Sequence, residues 1–121
     1  EILRCLVGSE MCIRDRFYTM EDFFTMKREA EGYVSWGYKT GDGWLIGAEI
    51  TGHILHECPK VLAVQPFGCM PNHTCGRGLY PSLQKKLPQG MIVSCDVDSS
   101  GSKLNVYNRV RMLVDMPLKE E

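Results

Sequence analysis

Two short apolar runs, at residues 61–64 and 91–93, constrain the fold more than any other feature of this sequence. Each run is continuous rather than alternating and is flanked by turn-forming residues, which is typical of strands buried on both faces of a parallel sheet. Between them, residues 78–87 carry leucines at a spacing of four, and this spacing predicts a helix. Two parallel strands joined through a helix form a right-handed crossover. The runs therefore predict alternating α/β architecture, with the second strand continuing to residue 98.

Three further helices are predicted from apolar spacing, at residues 20–31, 42–56 and 103–115. Asp42 is the expected N-cap of the second, and serine hydroxyls between residues 99 and 102 can cap the last. Parallel sheets usually contain about four or more strands, so two clear strands are few. We therefore expect an α/β fold with a partial parallel sheet and flanking helices. It would be a Rossmann-like fragment of a larger domain whose other strands lie upstream.

Charge and hydropathy argue against two classes of partner. The formal net charge is −1 and the basic residues are scattered, which is not the pattern of a nucleic-acid-binding surface. No apolar run approaches the roughly 18–20 residues that a membrane-spanning helix needs. We therefore expect a soluble, cytoplasmic protein that binds neither nucleic acid nor a membrane.

The first sixteen residues have a different origin in our interpretation. Residues 6–16 can be back-translated in one frame into a transposon-end sequencing adapter, and Cys5 extends the match by two bases. A native amphipathic start is the alternative. We treat residues 1–16 as an adapter-derived artefact and exclude them from functional argument. The natural start would then be missing, and residues 17–121 would be the tail of a longer protein.

This exclusion changes the cysteine inventory. Cys5 and Cys12 are set aside, which leaves Cys58, Cys69, Cys75 and Cys95. No signal peptide is visible, and the cysteines lie among strand-like apolar runs rather than in a loop-rich disulfide scaffold. We expect reduced thiols, with Cys75 and Cys95 acting as small buried apolar residues.

The polar residues with chemical potential follow the two predicted strands. The segment from Cys69 to Gly78 follows the first strand, and the segment from Asp96 to Gly101 ends the second. In open α/β sheets, ligands bind outside the carboxyl ends of the strands. We therefore expect these two segments to be neighbouring loops at one edge of the sheet, where they form the candidate site.

A phosphate or nucleotide site is one interpretation of these loops. Gly76 and Gly78 precede a predicted helix, whose free N–H groups favour an anion. Asp96 and Asp98 end the next strand, as a ribose-binding carboxylate does in dinucleotide folds. However, Pro81 replaces the third glycine of the dinucleotide fingerprint, and the loop is long.

Cysteine and histidine chemistry gives further alternatives. Cys58, Cys69, His73 and Cys75 are ligand types that zinc accepts, although their spacings lack the paired geometry of structural zinc sites. A cysteine nucleophile at a helix start, with His73 as its base, is another alternative. A third is a thiolate from Cys69 that holds an iron–sulfur cluster, with other ligands from elsewhere.

Four segments carry a family resemblance. They are TGDGWLIGAEI at 40–50, VLAVQPFGCMPNH at 61–73, GRG at 76–78 and IVSCDVDSSGSKLNVYNRVRML at 92–113. Together they resemble the C-terminal region of acyl-CoA dehydratase activase-related proteins, the CoA-substrate-specific enzyme activase family. That region is related to 2-hydroxyacyl-CoA dehydratase components. The most specific segment is QPFGC followed by any residue and PNH, and Ser99-Ser100 departs from the family's Pro-Gly.

The resemblance implies that residues 17–121 are a C-terminal fragment of a dehydratase-like α/β domain. Such domains hold oxygen-sensitive iron–sulfur clusters by cysteine, so Cys69 would be a ligand of a 4Fe–4S cluster whose ligand set is incomplete in this chain. The other cofactor-binding candidates are Gln65, Asn72, His73, Gly76, Gly78, Asp96 and Asp98.

The implied function is electron transfer in an anaerobic cytoplasm. The implied partners are acyl-CoA dehydratase or activase modules and subunits, or a second copy of the chain. The longer family members carry ATP-dependent modules before this region, and none of their phosphate-binding segments is visible here. The alternative function is a non-catalytic nucleotide- or CoA-binding module that uses Gly76, Gly78, Asp96 and Asp98. A third hypothesis is a fragment that buries too little apolar surface to fold and act alone.

Overall fold

The computed structural model describes residues 22–41, 43–56, 58–99 and 101–117. Within these ranges the chain forms four α-helices, one π-helix and two strands. In chain order they are α1 (Phe23–Glu29), α2 (Trp44–Leu55), β1 (Lys60–Pro66), the π-helix (Asn72–Arg77), α3 (Tyr80–Lys86), β2 (Met91–Val97) and α4 (Lys103–Asp115). The predicted α/β fold is confirmed.

The two strands form a parallel pair, as the continuous apolar runs predicted. The register starts with Lys60 opposite Met91 and ends with Pro66 opposite Val97. Both strands therefore finish at the same level, and the segments that follow them leave from one edge of the sheet. Both strands also extend beyond the apolar runs that predicted them.

The core consists of two layers of side chains, one on each face of the sheet. On one face, Ile50 and Ile54 of α2 and Leu83 of α3 pack against Val61 and Ile92 of the strands. On the other face, Leu113 of α4 packs against Leu62 and Val93. Because both faces are covered by helices, the strands read as continuous apolar runs in the sequence.

Several predicted boundaries shift in the structure. The first helix begins at Phe23, after the side chain of Asp22 accepts a hydrogen bond from the Phe24 N–H, and the predicted start at residue 20 lies outside the described residues. Asp42, the expected N-cap of α2, also lies outside them, and the N-cap is Gly43. The last helix has its predicted bounds, with Ser102 as its cap.

The segment after β1 is the main correction to the predicted secondary structure. Its glycines and prolines predicted a loop from residue 69 to 78, but six of these residues form the π-helix. Pro71 is the N-cap of the π-helix. A proline is tolerated at this position, because an N–H group there would have no partner within the helix. The Thr74 hydroxyl donates to the Met70 carbonyl at 2.9 Å, and this hydrogen bond stabilises the turn further. Glycine and proline therefore shape this helix rather than prevent it.

The cysteines divide into two groups. Cys75 and Cys95 are free and buried, and Cys69 is free and half-buried. The expectation of reduced thiols is wrong for Cys58, which is disulfide-bonded. None of the helices in the described ranges has the length and apolar character needed to cross a membrane.

Candidate functional site

The site lies at the carboxyl edge of the sheet, where β1 and β2 end side by side. Gln65 and Asp96 are partners in the strand register, so their side chains leave the same face of the sheet. The Gln65 Nε2 donates to Asp96 Oδ1 at 2.5 Å. Gln65 is 1% exposed, which is rare for an amide side chain and requires a strong polar partner. Asp96 supplies that partner.

Arg77, the last residue of the π-helix, makes the second contact to this carboxylate. Its Nη2 donates to Asp96 Oδ2 at 2.5 Å, so both carboxylate oxygens are used. The hydrogen bond from Gln65 is the main cause that lowers the pKa of Asp96, and the hydrogen bond and positive charge of Arg77 lower it further. His73 also lowers the pKa of Asp96 through its charge, which places His73 within electrostatic reach. Partial burial acts in the opposite direction.

This lowered pKa makes the stability of the chain depend on pH. Between the folded and unfolded pKa values of Asp96, the unfolded chain binds more protons, so stability rises with pH in that window. The contribution is complete above the unfolded pKa, near 3.8, and is lost as the pH falls through the folded value. We expect the free energy of unfolding of the wild type and of Asp96→Asn to converge as the pH falls.

Urea denaturation between pH 7 and about pH 3 measures this convergence. Asp115→Asn is the matched control, because it breaks the exposed ion pair with Arg111 and leaves Asp96 unchanged. A wild-type advantage over Asp96→Asn that is the same at both ends of the pH range would contradict the prediction.

Three buried polar atoms surround this carboxylate without hydrogen-bond partners. Among the described residues, these atoms are Gln65 Oε1, Arg77 Nε and the Tyr80 hydroxyl. Burial raises the pKa of Tyr80, while the charge of Arg77 lowers it and that of Asp96 raises it. A buried polar atom without a partner costs about 1–3 kcal/mol. This polar cluster therefore has unused hydrogen-bonding capacity.

Cys69 lies in the turn between β1 and the π-helix, and backbone hydrogen bonds fix its position. Its N–H donates to the Pro66 carbonyl at 3.2 Å, and its carbonyl accepts from the His73 N–H at 3.0 Å. Gly68 before it has a φ of 76°, a left-handed conformation that favours glycine. The Asn72 Nδ2 donates to the Cys69 sulfur at 3.1 Å. The thiol is therefore held in one place and already has an amide donor.

The remaining predicted site residues have different surroundings. His73 is half-buried in the π-helix, and Gly76 is buried in the same helix, where a Cβ would lie 3.1 Å from the Tyr80 hydroxyl. Gly78 ends this helix, and its N–H points to the Gly76 carbonyl. Its Cα lies so close to the Thr74 carbonyl that a Cβ would be 2.4 Å from the oxygen. Asp98 is exposed beyond β2 and accepts a bond from Ser99.

The structure therefore brings Gln65 and Asp96 together, and separately Asn72 and Cys69. The backbone N–H groups near Gly76 and Gly78 belong to helical turns rather than to a free helix start. The sequence did not single out Arg77 and Tyr80. A charged residue within GRG, on the same edge as Asp96, was the available signal for Arg77. For Tyr80, no pattern distinguished it from the apolar residues of α3.

At this edge of the sheet, the described part of the chain offers one thiol ligand to an iron–sulfur cluster. Cys69 is half-buried and its sulfur accepts a hydrogen bond from the Asn72 amide, which suits a ligand position. No set of three or more His, Cys, Asp or Glu side chains that could hold a metal ion occurs within the described residues. The zinc site considered from Cys58, Cys69, His73 and Cys75 is thus not assembled there.

Comparisons with protein-family models, curated proteins and solved structures find no match for this chain.

Proposed function

We propose that the chain is part of an iron–sulfur, electron-transfer protein in which Cys69 supplies one thiolate ligand to a 4Fe–4S cluster. The observation that carries the proposal is the 3.1 Å hydrogen bond from Asn72 Nδ2 to the Cys69 sulfur. Hydrogen bonds to cysteine sulfur are one of the means by which proteins adjust iron–sulfur clusters. The resemblance of residues 40–113 to acyl-CoA dehydratase activase-related proteins supports the same assignment.

The positions of the turn residues support this assignment further. Cys69 follows a strand at the carboxyl edge of a parallel sheet, which is the usual location of ligand sites in α/β folds. Phe67 and Met70, on either side, are exposed apolar side chains. In a complete protein such side chains would exclude water around the sulfur, and the surrounding polarity helps to set a cluster's potential. A bound cluster would supply one-electron chemistry.

The other ligands would come from outside the described residues or from another subunit. The proposed partners are acyl-CoA dehydratase or activase modules and subunits, or a second copy of this chain. The proposed setting is an anaerobic cytoplasm, because such clusters are sensitive to oxygen. We assign no ATPase activity to this chain.

Anaerobic reconstitution tests the proposal directly. The full-length protein, together with the modules or subunits that supply the other ligands, is incubated with ferrous iron and sulfide and then desalted. We expect visible absorbance from iron–sulfide charge transfer and matching iron and sulfide contents. A protein that elutes colourless and free of iron under these conditions would overturn the assignment.

The Asn72 hydrogen bond makes a separate prediction. In a reconstituted protein, Asn72→Ala should lower the reduction potential, because a donor to sulfur stabilises the more negative, reduced state. A redox titration followed by absorbance measures the shift. Gln84→Ala, on the exposed side of α3, is the control and should leave the potential unchanged. An unchanged potential in Asn72→Ala would show that this amide does not influence the cluster.

The polar cluster around Asp96 favours a second candidate function, the binding of a nucleotide or CoA. The unpartnered Gln65 Oε1, Arg77 Nε and Tyr80 hydroxyl could bond a polar ligand. Recognition would then use these side chains rather than the glycine N–H groups that the sequence indicated. This function predicts that CoA or ATP raises the melting temperature of the iron-free chain, and that Cys69→Ser keeps the shift. No shift with either ligand would exclude this candidate.

A further inference from the structure

The Gln65 side chain can meet the Asp96 carboxylate in only one orientation. An ionised carboxylate offers acceptor oxygens and no donor, so the NH₂ end of the Gln65 amide has to face Asp96 Oδ1. The Oε1 end then faces away from the carboxylate, where it is buried and has no hydrogen-bond partner among the described residues. Because Gln65 is 1% exposed, Oε1 is a buried acceptor whose orientation Asp96 determines.

Two further unused atoms lie around the same carboxylate. Arg77 Nε is a donor on the guanidinium whose Nη2 already binds Asp96 Oδ2. The Tyr80 hydroxyl can donate or accept, and a Cβ on Gly76, the neighbour of Arg77, would lie 3.1 Å from it. The charges of Arg77 and Asp96 both affect the pKa of Tyr80, in agreement with this closeness. The polar cluster therefore combines a buried acceptor, a buried donor and a buried hydroxyl.

The charges in this polar cluster disfavour a phosphate group. Arg77 and Asp96 form an ion pair, so their charges compensate each other. A phosphate would approach an ionised carboxylate, and it could bind the guanidinium fully only by breaking a partly buried pair, which is costly. His73 is within electrostatic reach and adds a positive charge only when it is protonated. A neutral ligand group meets no such repulsion and leaves the ion pair intact.

The polar cluster borders solvent on the side of its ion pair. The side chains of Arg77 and Asp96 are 37% and 26% exposed, whereas Gln65 and Tyr80 are buried. A ligand group that enters past Arg77 therefore reaches the two buried side chains behind it. The carboxyl edge of a parallel sheet is also where α/β folds bind their ligands.

We propose that the polar cluster binds a neutral group that carries an N–H donor beside an acceptor atom, as a carboxamide and the edge of an adenine base both do. The N–H of this group donates to Gln65 Oε1, and its acceptor atom receives hydrogen bonds from Arg77 Nε and the Tyr80 hydroxyl. The partly exposed Arg77 side chain shifts to admit the group while Nη2 stays on Asp96. The inference rests on the second candidate function above, and it names the part of CoA or ATP that is recognised.

Titration calorimetry of the full, iron-free chain with three probes tests this inference. Pantetheine supplies the amides of CoA without its phosphates, adenosine supplies the base edge, and inorganic pyrophosphate supplies the negative charge alone. We expect a heat of binding from pantetheine or adenosine and none from pyrophosphate. The neutral probe that binds identifies the source of the recognised group. Absence of binding by both neutral probes would overturn the inference.

Tyr80→Phe makes the result specific to the polar cluster. It keeps the ring and removes a buried hydroxyl that has no partner in the described residues, so the ligand-free chain should not lose melting temperature. Binding of the neutral probe should weaken about 2–10-fold, the usual effect of losing one hydrogen bond. Tyr107→Phe, on α4 and 59% exposed, is the control and should leave the affinity unchanged. Equal affinity in Tyr80→Phe and the wild type would also count against the inference.

The inference and the candidate function can fail separately. Binding of CoA or ATP that pyrophosphate displaces, without binding of either neutral probe, would retain the candidate function and overturn the neutral group. Binding of pantetheine or adenosine without binding of CoA or ATP would support the neutral group and exclude the candidate function. Both results are independent of iron and of Cys69.

Discussion

Replacing Cys69 with serine should remove most of the iron–sulfide absorbance from the reconstituted protein. Loss of a partner that only orients a metal ligand costs about 10–100-fold in metal affinity, and loss of a ligand should cost at least as much. Serine keeps the size of the side chain but replaces the soft thiolate that iron–sulfur clusters require. The effect is measured as iron and sulfide per chain after anaerobic reconstitution and desalting.

The buried cysteines provide matched controls for this experiment. Cys75→Ala and Cys95→Ala each remove a free thiol that is at least 97% buried and packed in the fold. Both should retain the wild-type iron content, because these thiols are not accessible at the sheet edge. Equal iron in Cys69→Ser and the wild type would remove Cys69 from the ligand set. Loss of iron in all three variants would point to general destabilisation.

Replacing Leu83 with alanine should cause the largest loss of stability, about 2–5 kcal/mol. Leu83 has no exposed surface and lies in the core between α2, α3 and the sheet. Truncation removes apolar burial and leaves a cavity that its neighbours fill only partly. Urea denaturation of the wild type and the variant measures the difference in the free energy of unfolding.

Leu104→Ala is the corresponding surface control. Leu104 lies near the start of α4 and is 62% exposed, so its truncation should change stability by no more than about 0.5 kcal/mol. Equal losses in the two variants would mean that Leu83 is not part of a formed core. A wild-type chain without a cooperative unfolding transition would support the third hypothesis, a fragment that does not fold alone.

The fold could be predicted where buried residues leave a regular apolar pattern in the sequence. Continuous apolar runs indicated the two strands, because each strand is covered on both faces. Isoleucines at a spacing of four indicated α2, and the serine cap and valines indicated α4. Val114 was expected on the inner face of α4 but is 43% exposed, since the helix covers only two strands. Two strands offer too little surface to bury its whole apolar stripe.

The site could be predicted only in part. The shared edge of parallel strands was sufficient to bring Asp96 beside Gln65, because strand register fixes that pairing. The π-helix could not be anticipated, since its extra residue per turn leaves no apolar period and its glycines indicate a loop. Arg77 reaches Asp96 only because that turn forms. The Asn72 contact with Cys69 depends on the same turn. Neither interaction could therefore be predicted from the sequence.

Gly68 and Gly78, before and after the π-helix, restrict natural variation for different reasons. This difference can guide a search for related chains. A Cβ at Gly68 would meet no atom within 4 Å, so only the left-handed backbone limits that position, and asparagine is an acceptable replacement. A Cβ at Gly78 would overlap the Thr74 carbonyl oxygen, so every side chain is excluded. Homologues that keep this architecture should tolerate asparagine at the first position and retain glycine at the second.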